Sequence, residues 1–213
     1  MSRNILVFDI MMLARDMVMT AIDFEGTGAV RGYADEPWQV GLVQIRGGMV
    51  SSAHLYEHLL HVGDRPFNRY APGRHAELRE KLKVAPELPS LWPELRHYLD
   101  GVPLVAHNAA TEQRYLSGAF PLHICTIWID TLKLSRLAYP GLPSYKLDDV
   151  LSSLGLVAQV GAVVPGREPH DALYDAVGCA VLLCHLLAQP GWQKVTLEDL
   201  VRLQKRKTAS GKR

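Results

Sequence analysis

Two acids two residues apart, Asp23 and Glu25 in "TAIDFEGTG", stand at the end of an otherwise apolar run. In a β-strand alternate side chains share a face, so both carboxylates point one way and Phe24 points the other, into the core. Their Cα atoms would lie about 6.6 Å apart. Like charges so placed repel unless a cation lies between them, and a hard divalent ion such as Mg²⁺ or Mn²⁺ suits oxygen ligands. Taken alone, such a pair is more often a solvated strand end feeding a glycine turn.

Further acids change that balance. "VAHNAATEQRYL" places His107 and Asn108 at the end of a strand and Glu112 in the first turns of a helix, where an acid also serves simply to complement the helix dipole. "PHDALYDAV" places His170 five residues before Asp175. On one helix the two would point about 140° apart, so they converge more easily with His170 in the loop before the helix. Pro169 supports that placement, because proline suits a helix interior poorly. Asp171 then caps the helix, and Asp175 lies among apolar neighbours near its buried face.

The elements that must position these groups are legible from pattern. Residues 17–25 read as a strand. "WQVGLVQIRGGMVSSAHLYEHL" reads as two strands joined at Gly47-Gly48, a hairpin signal. Residues 62–74 read as loop, and helical spacing follows in "HAELREKL" and "LPSLWPELRHYLDG". "VPLVAH" is a short buried strand, "NAATEQRYLSGA" a helix, and "ICTIWIDTL" a further β-rich run with a short helical stretch after it. Beyond a turn at "YPGLPSY", "KLDDVLSSLGL" reads as a helix and "VAQVGAVVPGREP" as a loop. "DALYDAVGCAVLLCHLLA" reads as a long buried helix and "LEDLVRLQKRK" as a last one. Three strands in succession, then strands alternating with helices, predict a mixed β-sheet flanked by helices, an α/β fold.

A chain of 213 residues with 48% hydrophobic residues and a net charge of +1 suits one globular domain, and no global field announces a nucleic-acid partner. The three cysteines, Cys125, Cys179 and Cys184, lack metal-ligand spacing, and an odd, sparse count fits a reducing cytoplasm. Asp9, Arg15 and Asp16 interrupt the N-terminal apolar run, so neither a leader peptide nor a membrane span is expected.

In this order, "AIDFEGTG", "LVAHNAATEQRYL" and "HDALYDA" resemble the three motifs of the DEDDh (DnaQ-like) 3′→5′ exonuclease superfamily, which includes polymerase proofreading subunits and RNase T-like enzymes. The histidine five before the last aspartate marks the "h" branch. The resemblance covers roughly residues 17–190 and implies an RNase H-like (ribonuclease H-like) fold. It leaves an N-terminal extension, 1–16, and a C-terminal helix and basic tail, 191–213. It implies that Asp23, Glu25, Glu112 and Asp175 hold two divalent ions, with Asp23 shared between them, and that His170 is the general base. Gly26 would let the backbone approach the terminal nucleotide, Thr27 would hydrogen-bond its sugar, and Asn108 would orient the loop beside the site. The implied reaction is hydrolysis at the 3′ end of single-stranded or frayed DNA or RNA, with DNA favoured, releasing nucleoside monophosphates. Many members dimerise, which leaves a homodimer open; no polymerase or clamp-binding segment is evident. Tyr115 and Tyr174 would either stack on bases or pack their helices, and the basic C-terminus would either contact phosphates or remain a solvated tail.

The chain departs from the family pattern at Glu112, where aspartate is usual, at Thr111, where an apolar residue is frequent, and at Gly26, where threonine is frequent. The extra methylene of Glu112 bears on the second ion, because Mg²⁺ demands near-ideal octahedral geometry. The alternative is therefore a catalytically weakened nucleic-acid-binding or polymerase-associated module. A third resemblance, of "ILVFDIMM" to the first motif of haloacid-dehalogenase-like phosphatases, needs a second aspartate where Met11 stands.

Overall fold

The computed structural model describes residues 10–123 and 127–205. Apolar alternation drives three antiparallel neighbours, β1 (Met19–Gly26), β2 (Pro37–Arg46) and β3 (Met49–Leu59), with Gly47 and Gly48 both at positive φ in the β2–β3 turn. Two short strands, β4 (Leu104–Ala106) and β5 (Trp128–Asp130), add in parallel, giving the sheet order β3-β2-β1-β4-β5. The mixed sheet expected from the element order is therefore present.

Helices cover both faces. Behind the even-numbered positions of β1, Ile22 and Phe24 pack with Leu95 and Leu99 of α2 (Trp92–Leu99) and Tyr115 and Leu116 of α3 (Ala110–Ala119). Phe24 is 6% exposed, so it is the core residue the alternation predicts. On the odd-numbered face, Met19 and Ala21 pack against α7 (Ala172–Ala188), which is buried along most of its length. Also in this layer are α4 (Thr131–Ala138), α5 (Leu147–Ser153) and α8 (Leu197–Leu203). Asp23 and Glu25 thus lie on the α7 side. A further helix, α1 (His75–Lys83), lies beyond the 62–74 loop.

Residues 157–169, expected to be loop, contain the short helix α6 (Val157–Val163). Its valines and glycine are weak helix formers, but Val160 is fully buried in the α7-side core, and that packing overrides local preference. Among its described residues, the run "ICTIWIDTL" gives a strand of three, Trp128–Asp130. Residues 124–126 of that run, with Cys125, lie outside the described residues, as do Asp9 and the basic tail beyond residue 205. Next to β1, Leu13 bridges Thr196, and Leu197 N–H donates to Met12 C=O, so residues 10–14 lie along residues 195–198.

One contact sets the position of α7. Gly41 of β2 pairs with Asp23, and a Cβ at Gly41 would run into the backbone of Ala172 and Leu173. The glycine therefore lets the first turn of α7 rest directly on the sheet, beside the two acids. Gly41→Ala is expected to lower Tm by roughly 2–12 °C through overpacking and to cut activity in parallel. An unchanged melting curve would show that α7 does not depend on this approach.

Candidate metal centre and active site

Four carboxylates converge where α7, α3 and the end of β1 meet. Glu25 is 5% exposed and Glu112 is 4% exposed, while Asp23 and Asp175 are partly buried. Burial pushes the Asp23 carboxyl well above the usual carboxylate range, and the charges of Asp175, Glu112 and Glu25 push the same way. Burial, then Asp175, raises Glu25 to about 8. Burial likewise raises Glu112 to about 7, aided by Asp130 and opposed by its own backbone N–H and by Arg114. Asp175 is raised to about 7 by burial and by Asp148, with the His170 N–H opposing.

Glu112 Oε2 and Asp175 Oδ1 are buried without a hydrogen-bond partner. Such orphan oxygens are rare in folded proteins and signal a missing partner. A set of acids that repel one another, with bare oxygens turned inward, has the chemistry of a hard-cation site. The residues therefore fit divalent metal ions.

His170 stands at the edge of this cluster. One ligand atom from each of Glu25, His170 and Asp175 lies within 4.8 Å of the other two. The loop placement is correct: His170 is exposed and precedes α7, with φ of 66°. That left-handed backbone is uncommon outside glycine, and here it turns the His170 N–H onto Asp175 Oδ2 at 3.1 Å. Asp171 caps α7, accepting from the N–H groups of Leu173 and Tyr174. It is held in turn by Gln39 Nε2 at 3.2 Å and by Arg167, which also pairs with Glu57 of β3.

Asn108 has φ of 70° and an exposed side chain, and its N–H donates to Asp130 Oδ1 at 3.1 Å. Asp130 also caps α4, so one buried carboxylate fixes both the β4–α3 turn and the β5–α4 turn. His107 is occupied structurally: Nε2–H donates to Tyr145 C=O at 2.8 Å and Nδ1 meets the Thr131 hydroxyl at 2.9 Å.

The structure gives Gly26 and Thr27 duties different from those expected. The space a Cβ would need at Gly26 is filled by Tyr115 Oη and Asp35, so the protein's own packing requires the glycine there. Thr27 is fully buried, and its hydroxyl accepts from Glu36 N–H at 3.0 Å, within the turn that follows β1. Tyr115 donates to Asp35 and lies edge-on to Phe24, so it packs its helix.

Two residues that sequence reasoning missed also shape the site. Asp148, in the first turn of α5, acts electrostatically on both Glu25 and Asp175. Asp35 accepts from Gly28 N–H at 2.7 Å, from Arg114 at 2.7 Å and from Tyr115, tying α3 to the turn after β1. Neither carries a local signal, since an acid in a loop or a first helical turn is ordinarily solvated.

Comparison with known proteins agrees with this geometry. The family model described as "Exonuclease", of the RNase T type, matches residues 20–183. Exodeoxyribonuclease 10 of Escherichia coli K12 is 28% identical over 76% of this chain and 69% of its own length. A PolC-type DNA polymerase III of Thermotoga maritima is 31% identical over 76% of this chain, but only 11% of that polymerase is matched. Among solved structures, the nuclease domain of 3′hExo, described as a DEDDh family member bound to rAMP, superposes with a TM-score of 0.61 at 15% identity. That match covers 80% of this chain and 91% of the other. Escherichia coli exonuclease I, in complex with a dT13 oligonucleotide, superposes with a TM-score of 0.58 at 14% identity, covering 80% of this chain and 41% of that one. The fold is thus the RNase H-like fold of the DEDDh exonucleases.

Proposed function

Because the chain belongs to the exonuclease family, we propose that it removes nucleotides from the 3′ end of single-stranded or frayed nucleic acid, with DNA favoured over RNA. The convergence of Asp23, Glu25, Glu112 and Asp175, two of them with bare buried oxygens, supports this reading most directly. The preference for DNA rests on the exodeoxyribonuclease and DNA polymerase relatives.

Asp23, Glu25, Glu112 and Asp175 would hold two ions, Mg²⁺ or Mn²⁺. Such ions offset phosphate charge and make water nucleophilic near neutral pH. His170, at the exposed edge of the cluster, takes the proton from the attacking water, a role suited to imidazole. The new bond joins the water oxygen to phosphorus and the P–O3′ bond breaks. The leaving 3′-oxygen gains a proton from solvent, giving a nucleoside 5′-monophosphate and a strand one residue shorter. The His170 N–H bond to Asp175 keeps the base and the carboxylates in one arrangement.

The nuclease body is assigned to residues 17–190, with residues 10–16 and 191–205 as packing supports. Among the described residues no helix is long and apolar enough to cross a membrane. Cys179 and Cys184 are free thiols, which suits the cytoplasm proposed here.

The test is a 5′-labelled single-stranded oligonucleotide with Mg²⁺, Mn²⁺ or EDTA, with matched DNA and RNA. Stepwise shortening is expected with either metal and none with EDTA, and His170→Ala should slow it by about 10²–10⁴-fold. Metal-independent cleavage, or internal cuts, would overturn the reading. In the same assay, Glu112→Asp separates full activity from a weakened site. A large gain in rate would mean that the longer side chain handicaps the second ion.

A further inference from the structure

Among the described residues, the side chain of a tyrosine on a loop anchored beside the site is held by its neighbour alone: the Arg69 guanidinium donates to the Tyr70 hydroxyl. Tyr70, in the loop of residues 62–74, is 75% exposed, and the Arg69 guanidinium lies 4.5 Å from its ring centroid. The charge of Arg69 meets no acid among the described residues' ion pairs, unlike its neighbours Arg65 and Arg74.

The loop that carries Tyr70 is pinned at both margins of the metal centre. On one side Asn68 N–H donates to Thr27 C=O at 2.8 Å and Asn68 Nδ2 to Ala29 C=O at 3.0 Å, two to four residues beyond Glu25. On the other side Gly73 abuts the His170 carbonyl and Trp38, so closely that a Cβ would come within 3.0 Å of that oxygen. Between these anchors, Tyr70 N–H donates to Asn68 Oδ1 and Ala71 N–H to Asn68 C=O. The base of the loop is fixed by Phe67 stacked on His75 at 4.4 Å. Tyr70 therefore sits midway between the end of β1 and His170, on backbone already ordered. Past the Gly73 anchor, a cleft of about 560 Å³ walled by Trp38 runs from His170 and Asp171 to Arg74 and Lys81.

We propose that Tyr70, with Arg69, stacks on an unpaired nucleobase just 5′ of the terminal nucleotide, as the strand leaves the carboxylate cluster. This rests on the exonuclease reading for the direction of the strand. An exposed ring backed by a cation suits any base face, because every base has one. Holding the ring on a pinned loop reduces the ordering cost of the contact. A base within a duplex offers no free face here, so the pair also favours single-stranded ends.

The test is equilibrium binding of a labelled single-stranded oligonucleotide, with Ca²⁺ as the added cation, together with kinetics on two substrates. Tyr70→Ala should raise Kd about tenfold, within the range reported for losing one stacked base, with Tm unchanged. Tyr70→Trp should bind near wild type. Hydrolysis of the p-nitrophenyl ester of thymidine 5′-monophosphate, which has no upstream base, should be unaffected. An abasic site placed in turn at each of the positions next to the terminus should, at one of them, weaken the wild type and leave Tyr70→Ala no worse. Met49→Ala, exposed at the hairpin on the opposite end of the sheet, should change nothing. If Tyr70→Ala binds within twofold of wild type, or loses as much on every abasic substrate, the stacking role is wrong. If the wild type cleaves neither substrate while the Tyr70 dependence of binding holds, the exonuclease reading fails and the stacking surface stands.

Discussion

Asp23→Asn should abolish hydrolysis, by a factor on the order of 10³ or more, and at the same time raise the Tm of the metal-free protein. The two effects have one cause. Asp23 lies among Asp175, Glu112 and Glu25, whose charges oppose its ionisation after burial has already done so. Its carboxylate accepts no hydrogen bond from the described residues, so the isosteric amide breaks no contact and removes a charge whose formation burial and these three acids oppose. The same charge is what a divalent ion would need. Activity assays with Mg²⁺ or Mn²⁺ and thermal melts in EDTA separate the outcomes. Retained activity would remove Asp23 from the chemistry, and a lower Tm would show that repulsion is not what the site stores. Trading stability for function in this way is common at sites of clustered like charge.

Raising pH from about 5 to about 8 should destabilise the metal-free protein, and added Mn²⁺ or Mg²⁺ should reverse the loss. The sign follows from where the protons are. Folded Glu25 titrates at about 8 and Glu112 and Asp175 at about 7, all above their ordinary values. Between the ordinary and the raised values the folded state holds protons that the unfolded chain has released, so stability falls with rising pH. Below the ordinary values the contribution is complete, and above about 8 it is gone. Metal ions compete with those protons, so they should raise Tm far more at pH 8 than at pH 5.5. Glu25→Gln should flatten the EDTA curve. A metal-induced shift of equal size at both pH values would contradict the raised acids as ligands.

Much of this site could be read from the chain because its chemistry is written locally. Asp23 and Glu25 share a face by strand alternation, and Asp171 caps α7 from a recognisable loop-to-helix boundary. The Gly47-Gly48 turn fixes the hairpin that sets β3 beside β2. What escaped reading depends on residues that meet only in three dimensions. Gly41 looks like any strand glycine until α7 is laid across it, and Gln39 like any strand amide until it grips Asp171. Thr27 lies beside two acids in sequence, yet its hydroxyl is taken by Glu36, nine residues away. The helix at Val157–Val163 exists because α7 offers it a surface, against the preferences of its own residues.

The free edge of β5 shows how the sheet ends. Gln204, just past α8, places its side-chain amide against that strand: Asp130 N–H donates to Gln204 Oε1 at 2.8 Å, and Gln204 Nε2 donates to Trp128 C=O at 2.6 Å. One side chain imitates the peptide group of a sixth strand. An open edge is a template on which a stranger's backbone can zip up, and this amide occupies the rung where such growth would start. The margin of the sheet nearest Asp130 is thus capped at this rung by the chain's own amide, beside the carboxylate that holds the Asn108 turn.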